Sequence, residues 1–314
     1  IFPQTPTQWL QITKDVFIPT QGRVQEHIPP AMYTSNVVNN QFQLERIELV
    51  HDELLDLPDS VGSYVISSIQ HFWKSQEQFI KRKQLYKRGI LLYGPPGSGK
   101  TATLTLLAED LIRKGGIVFI PSRNSSSLLW TLRAIRHIEK ERPIIILLED
   151  LDELMRGEKQ EYQLLSLLDG EYQFNNVVYL ATTNHPDRLG PRITNRPSRF
   201  DELIEVGMPS ASSRLTYFES KLLPEDKVNV NIDQWVKDTA GLSLAHLREL
   251  MVAVTCLGRT YEETIERLKV MAVKAPTTTD GYLKKKGSAG FGAYESAVEE
   301  AKPCPSPCCE AELP

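Results

Sequence analysis

Gly94-Pro95-Pro96-Gly97-Ser98-Gly99-Lys100-Thr101 fits the G-x-x-x-x-G-K-[ST] phosphate-binding pattern at every fixed position. Ahead of it, Arg88-Gly89-Ile90-Leu91-Leu92-Tyr93 reads as a short buried strand, and behind it residues 101–114 read as a helix. The motif requires this context. Glycines let the backbone curl until successive N–H groups face one anion, and the helix N-terminus adds partial positive charge at the same place. Lys100 is then the group that reaches the β- and γ-phosphates, and Thr101 the one that ligates Mg²⁺. A glycine–proline turn without a ligand is the bland alternative, but it leaves the agreement of strand, loop and helix unexplained.

Working outward, four further apolar runs read as buried strands, at 117–120, 144–148, 177–182 and 203–206, with helical stretches between them at 127–141 and 162–168. Strands alternating with helices imply an α/β fold, a P-loop core whose five-stranded parallel sheet is flanked by helices on both faces. Ligands of such sheets bind beyond the carboxyl ends of the strands, where the glycine loop falls. Upstream, Pro58-Asp59-Ser60 precedes an amphipathic run that predicts one helix over 60–80, and Gly115-Gly116 is a stop for the helix after the loop. Past Met208-Pro209 only helices are predicted, at 212–223, 232–239, 243–257 and 261–273. The chain therefore divides into an N-terminal arm or partial adaptor domain (1–47), irregular or β-containing, an α/β domain (48–209), a small all-helical domain (210–274) and a tail rich in Pro, Gly, Ser, Thr, Lys and Glu (275–314) expected to be disordered.

At 314 residues the chain has room for about two domains. With 41% hydrophobic and 24% charged residues it has the composition of a globular protein, and its net charge of −4 gives no global attraction to nucleic acid or anionic membrane. The basic segment from Lys81-Arg82-Lys83 to Lys87-Arg88 and the run Lys284-Lys285-Lys286 read as solvated faces. Of four cysteines, Cys304, Cys308 and Cys309 crowd the end of the chain, which suits the cytoplasm or another reducing intracellular compartment better than a disulfide framework. They lack the histidine or fourth ligand that a zinc site needs. No apolar run is long enough for a membrane span. The sequence begins at Ile1, so an upstream targeting segment or anchor stays open.

Phosphoryl transfer needs a metal held by carboxylate, a group that aims or deprotonates water, and positive charge on the transition state. The strand at 144–148 ends in Glu149-Asp150, followed by Asp152 and Glu153, acids placed where a Walker B strand carries them. The next strand ends in Ala181-Thr182-Thr183-Asn184, whose amide suits a γ-phosphate or an attacking water, or only a turn before His185-Pro186. Beyond lie Arg196 and Arg199, three apart, suited to bidentate contact with phosphate oxygens or to surface ion pairs.

Together and in this order these motifs resemble the AAA family of ATPases, over about residues 49–273. Gly89 through Thr101, the acidic strand end, Leu164-Leu165-Ser166-Leu167-Leu168-Asp169-Gly170 and the stretch from Ala181 to Asp201 carry the resemblance. It implies an α/β ATPase core with a helical lid, ATP and Mg²⁺ as ligands, and a homo-oligomeric ring, usually a hexamer. It further implies that Asn184 is the first sensor and that Arg196 and Arg199 are arginine fingers acting on a neighbour's nucleotide. The segment around Gly241 and Ala245 would be the part of the lid over the nucleotide, and Thr101, Glu149 and Asp150 the metal site.

Three departures qualify it. Glu149-Asp150 reverses the usual Asp-Glu order, so that by position Glu149 serves the metal and Asp150 polarises water. Residues 121–127 (Pro121-Ser122-Arg123-Asn124-Ser125-Ser126-Ser127) lack an aromatic gripping loop. Both features are similar to the branch containing the mitochondrial translocase of the Rieske iron–sulfur protein. Leu244 and His246 replace a glycine and an acid in the lid segment, and Arg248 reads as a surface or capping arginine before a second sensor. The expectation is Mg-dependent ATP hydrolysis coupled to remodelling or translocation of a protein client. A nucleic-acid motor or loader and a nucleotide-switched scaffold with little hydrolysis stand as alternatives.

Overall fold

A computed structural model describes residues 8–20, 26–38, 41–48, 54–55, 57–58, 60–121, 125–169, 174–196 and 198–274. The tail with its three cysteines and Lys284-Lys285-Lys286, and the centre of the 121–127 segment, lie outside the described residues. Among the described residues nine strands form one sheet. They are β1 (Gln8–Thr13), β2 (Val16–Thr20), β3 (Met32–Val38), β4 (Gln41–Ile47), β5 (Lys87–Tyr93), β6 (Ile117–Ile120), β7 (Ile144–Leu148), β8 (Val177–Thr183) and β9 (Glu202–Glu205), in the order β1-β2-β4-β3-β6-β7-β8-β5-β9.

All five strands expected from the apolar runs are present, and they pair parallel as β6-β7-β8-β5-β9. The expected five-stranded sheet is nevertheless too small. β3 adds parallel to β6, with Met32 opposite Val118, and β4, β2 and β1 continue antiparallel, so the N-terminal arm extends the parallel sheet. Its fastening is a buried carboxylate. Glu139 Oε1 accepts hydrogen bonds from the indole of Trp9 (3.1 Å) and the backbone N–H of Ile28 (3.0 Å). Its Oε2 lies 2.5 Å from an Arg142 guanidinium nitrogen and 3.1 Å from His27 Nδ1.

The helices of the α/β part are α1 (Val61–Lys74), α2 (Gln76–Lys81), α3 (Lys100–Arg113), α4 (Ser125–Ile138), α5 (Leu151–Leu154), α6 (Glu158–Asp169) and α7 (Pro191–Thr194). Alternating residues of β7 feed the two faces of the sheet: Ile144, Ile146 and Leu148 join the core that also holds Leu132, Leu164 and Trp9, while Ile145 and Leu147 join the core with Val65, Leu104 and Leu111. Burial on both faces is why these strands read as unbroken apolar runs. The single helix expected over 60–80 is two. At Ser75 the hydroxyl donates to the His71 carbonyl (2.8 Å) and the N–H turns back to Phe72 (2.9 Å), a local competition that ends α1. The break lets Phe79 pack edge-on against Phe72, which stacks on Tyr86. Gly115-Gly116 does stop α3: Gly116 N–H bonds Leu111 O and Gly115 N–H bonds Ile112 O, a Schellman closure with Gly115 at φ 86°.

After β9 come α8 (Ala211–Lys221), α9 (Pro224–Lys227), α10 (Ile232–Asp238), α11 (Leu244–Met251), a π-helical turn (Val252–Cys256) and α12 (Tyr261–Lys274). They have a core of their own, with Phe218 edge-on to Trp235 and Trp235 stacked on Tyr261. The link to the sheet domain that matters for chemistry is at the start of α11, where Ala245 N–H donates to Gly97 O at 3.3 Å.

Candidate functional site

The glycine loop joins the carboxyl end of β5 to the N-terminus of α3. Three of its glycines have positive φ, at Gly94 (154°), Gly97 (74°) and Gly99 (105°). Gly94 also has no room for a side chain, because a Cβ there would lie 2.2 Å from Val206 O. α3 begins at Lys100 with no acidic residue in its first turn and no side-chain cap, leaving its first N–H groups to the loop.

Lys100 is 7% exposed, and its ammonium donates to the carbonyls of Gly94 (2.9 Å) and Pro95 (2.8 Å). Burial lowers its pKa to about 8, against the opposing attraction of Asp150. Beside it the Ser98 hydroxyl is buried without a hydrogen-bond partner. A buried cation resting on carbonyls, an orphaned hydroxyl and a curled N–H loop fit a polyphosphate.

The acids arrive from β7. Glu149 Oε2 lies 3.5 Å from Thr101 Oγ1, and burial, then the neighbouring Asp150 charge, push its carboxyl above the usual range while Thr101 opposes them. Asp150 adopts a left-handed backbone (φ 47°, ψ 58°), an uncommon conformation for a non-glycine residue. Its N–H is held by Thr182 Oγ1 (3.2 Å), and its Oδ1 receives Asn184 Nδ2 (3.3 Å). Glu149 thus faces the loop threonine, and Asp150 faces the amide at the end of β8.

A second tie joins these strand ends. Thr183 donates to Asp152 Oδ1 (2.8 Å) and accepts the His185 N–H (2.9 Å), while Arg188 sits 3.6 Å from Asp152 Oδ2. The motif reading left Asp152 without a role. Its signal was an acid two residues past the strand-end pair, opposite two consecutive threonines.

A cavity of about 620 Å³ lies between the loop and the helical domain, within the range of nucleotide-sized sites. Its lining includes Pro96, Gly97, Gly99, Lys100, Thr101, Asp150, Asn184 and, from the helical domain, Leu244 and Ala245. Gly241 is not among the lining residues; it makes the turn before α11 with φ 78°. Arg248 is exposed, as expected of a surface arginine, and it also lines the cavity. Tyr217 with Leu54, Leu55 and Leu57 completes an apolar side that no motif marked, and Lys221, one turn from Tyr217 on α8, adds a cation beside it. His246 does not line it: Nδ1 is 2.6 Å from Ser243 Oγ, and burial lowers its pKa.

Arg196 and Arg199 are absent from this lining. Both meet Asp169 at the end of α6, Arg199 through two bonds of 2.7 and 2.5 Å and Arg196 at 3.4 Å. Two residues of the basic segment are likewise committed inside the chain: Lys87 donates to the Leu168 and Ser198 carbonyls, and Arg88 pairs with Glu202. Among the described residues no group of three or more His, Cys, Asp or Glu is arranged to hold a metal. Thr101 with Glu149 suits Mg²⁺ in particular, which is ordinarily held by one or two protein oxygens together with phosphates and water.

Residues 90–208 match the family model described as "ATPase family associated with various cellular activities (AAA)". The ATP-dependent zinc metalloprotease FtsH of Hahella chejuensis is 29% identical over 237 residues, covering 68% of this chain and 37% of that protein. Protein CdcH of Halobacterium salinarum is 31% identical over 231 residues, 63% of this chain and 30% of the relative. Protein SAV of Sulfolobus acidocaldarius is 31% identical over 219 residues, 63% and 27% respectively. The chain thus spans between about a quarter and two fifths of the length of these curated relatives.

Proposed function

We propose that the chain, whose residues 90–208 match the AAA ATPase family model, hydrolyses ATP in the cavity between α3 and α11 and uses the cycle, as a ring of identical subunits, to remodel or translocate a protein partner. The observation that carries the hydrolytic half is the separation of the two strand-end acids, Glu149 toward Thr101 and Asp150 toward Asn184.

Thr101 and Glu149 would hold Mg²⁺, which when bound neutralises charge on the β- and γ-oxygens. Lys100 exchanges the Gly94 and Pro95 carbonyls for phosphate oxygens. Asn184 and Asp150 orient one water in line with the γ-phosphorus, and the Asp150 carboxylate accepts its proton as the bond to the β-phosphate oxygen breaks. Arg248 and Lys221 add positive charge from the lid side, and Tyr217 with Leu54, Leu55 and Leu57 offers an apolar bed for the base. Residues 48–209 are the catalytic unit and 210–274 the lid. Ala245 N–H to Gly97 O gives lid movement a direct grip on the loop.

A protein client is favoured over nucleic acid, since the net charge is −4 and Lys87 and Arg88 are internally committed. No helix among the described residues is long and apolar enough to cross a membrane. The test is steady-state phosphate release measured alone, with unfolded or native protein, and with DNA. Stimulation by protein and a specific turnover that rises with chain concentration are expected. Stimulation by DNA alone, or the absence of turnover, would replace this proposal by the motor or the scaffold.

A further inference from the structure

Arg196 and Arg199, equivalent in the sequence motif, are not equivalent in the folded chain. Arg199 is 5% exposed, and each of its three guanidinium nitrogens has a partner inside the chain: Nε and one terminal nitrogen fork onto the two Asp169 oxygens, and the other donates to the Arg192 carbonyl. The backbone beneath it is equally fixed. Asp201 N–H bonds Gly89 O, Gly89 N–H bonds Asp201 Oδ2, both at 2.8 Å, and a Cβ on Gly89 would lie 2.2 Å from Arg199 O. Arg196 is 58% exposed and meets only Asp169 Oδ2, at 3.4 Å, among the ion pairs of the described residues. An exposed single contact of that length is readily given up, whereas a desolvated fork is not.

One carboxylate therefore stands between two arginines, and the buried one occupies both of its oxygens. The structure assigns the two arginines different work: Arg199 is a positioning residue that neutralises Asp169, and by doing so leaves Arg196 as the guanidinium free to reach a triphosphate held by a neighbouring copy of the chain. The assignment rests on the proposal that this segment acts between subunits, and it divides between two residues a role that the motif gives to both. Its physical content is competition. Without Arg199, the Asp169 carboxylate loses its bidentate partner, keeps only the more distant charge of Lys87 besides Arg196, and captures Arg196 from 3.4 Å.

The test is phosphate release by the full chain carrying Arg196→Gln, Arg199→Gln, or Arg199→Gln together with Asp169→Asn. Arg196→Gln is expected to lose about 10³-fold or more in kcat, the scale of a lost arginine finger. Arg199→Gln is expected to lose on the order of 10²-fold through misplacement of Arg196. Adding Asp169→Asn should then restore turnover to within about tenfold of wild type, because no anion remains to capture Arg196. KM for ATP should stay unchanged throughout.

A double variant as inactive as Arg196→Gln, or Arg196→Gln with full turnover, overturns the assignment. If Arg199→Gln does not fold, Arg199→Lys serves, since an ammonium still neutralises Asp169. It should retain turnover where Arg196→Lys, lacking the fork, does not, and the reverse order overturns the assignment. Mixing Lys100→Ala chains, which keep both arginines, with Arg196→Gln chains, which keep the loop, separates the two layers. Recovered turnover supports action between copies. Its absence removes that reading, while the double variant alone still decides which arginine does the work.

Discussion

Replacing Glu139 by alanine should loosen the arm from the ATPase domain at a cost that the structure allows to be worked out. The carboxylate is 1% exposed and serves four partners at once. Its loss leaves the Trp9 indole N–H and the Ile28 backbone N–H buried without acceptors, each costing about 1–3 kcal/mol. Arg142, 11% exposed, keeps the Ile28 and Gly115 carbonyls but loses its counter-charge. Breaking a buried pair from one side typically costs about 3–5 kcal/mol, and since the orphaned groups are part of that same loss, 3–5 kcal/mol is the expected total. At roughly 2–4 °C per kcal/mol for a domain of this size, the midpoint should fall by about 6–20 °C. Glutamine keeps an acceptor for Trp9 and Ile28 and loses only the charge, so Glu139→Gln should cost about half as much. Thermal or urea unfolding of the three proteins reads this directly. KM for ATP serves as the control, since Glu139 does not line the nucleotide cavity. A loss below about 1 kcal/mol for Glu139→Ala would refute the view that this hub joins arm and core.

Three further outcomes follow from the site. Because burial holds Lys100 near pKa 8 and phosphates favour its charged form, ATP binding at pH 8 should take up about half a proton. Calorimetry in buffers of different ionisation enthalpy should show that uptake fade below pH 7, and affinity should weaken as pH rises above 8. Gly97→Ala places a Cβ 2.7 Å from Ser243 Oγ and 2.9 Å from Ala245 Cβ at φ 74°. The start of α11 must shift, and ATP affinity measured by fluorescence titration should fall roughly ten- to hundredfold, the worth of about 1–3 kcal/mol of strain. Thr183→Val cuts the tie to Asp152 and should lower kcat about tenfold or more with little change in KM, whereas Thr183→Ser should retain activity.

What the sequence made legible was local or periodic. The glycine loop, its flanking strand and helix, and five apolar strand runs are continuous segments whose pattern is dictated by burial on both faces, and each lies where it was expected. Glu149, Asp150 and Asn184 could be placed from the sequence because they follow directly on apolar strand runs, and β7 and β8 end at or next to the ends of those runs. The arm's place was not readable, since it depends on β3 pairing with β6 across some eighty intervening residues, and nothing in the sequence of a single strand addresses a partner so far along the chain. Arg199, Lys87 and Arg88 show the same limit for charge. A cationic side chain reads as exposed until the fold brings Asp169, a pair of carbonyls or Glu202 against it. Tyr217, Lys221 and Arg248 join the cavity only because the helices after β9 pack over the loop, a relation between segments far apart in the chain.

ATP binding and phosphate release, measured side by side for the wild-type chain, Lys100→Ala and Asp150→Asn, test the assigned site most directly. Wild type should turn over, Lys100→Ala should lose nucleotide binding, and Asp150→Asn should bind ATP with near-native affinity while releasing phosphate about 10²–10³-fold more slowly. Full turnover in Asp150→Asn, or undiminished binding in Lys100→Ala, would contradict it.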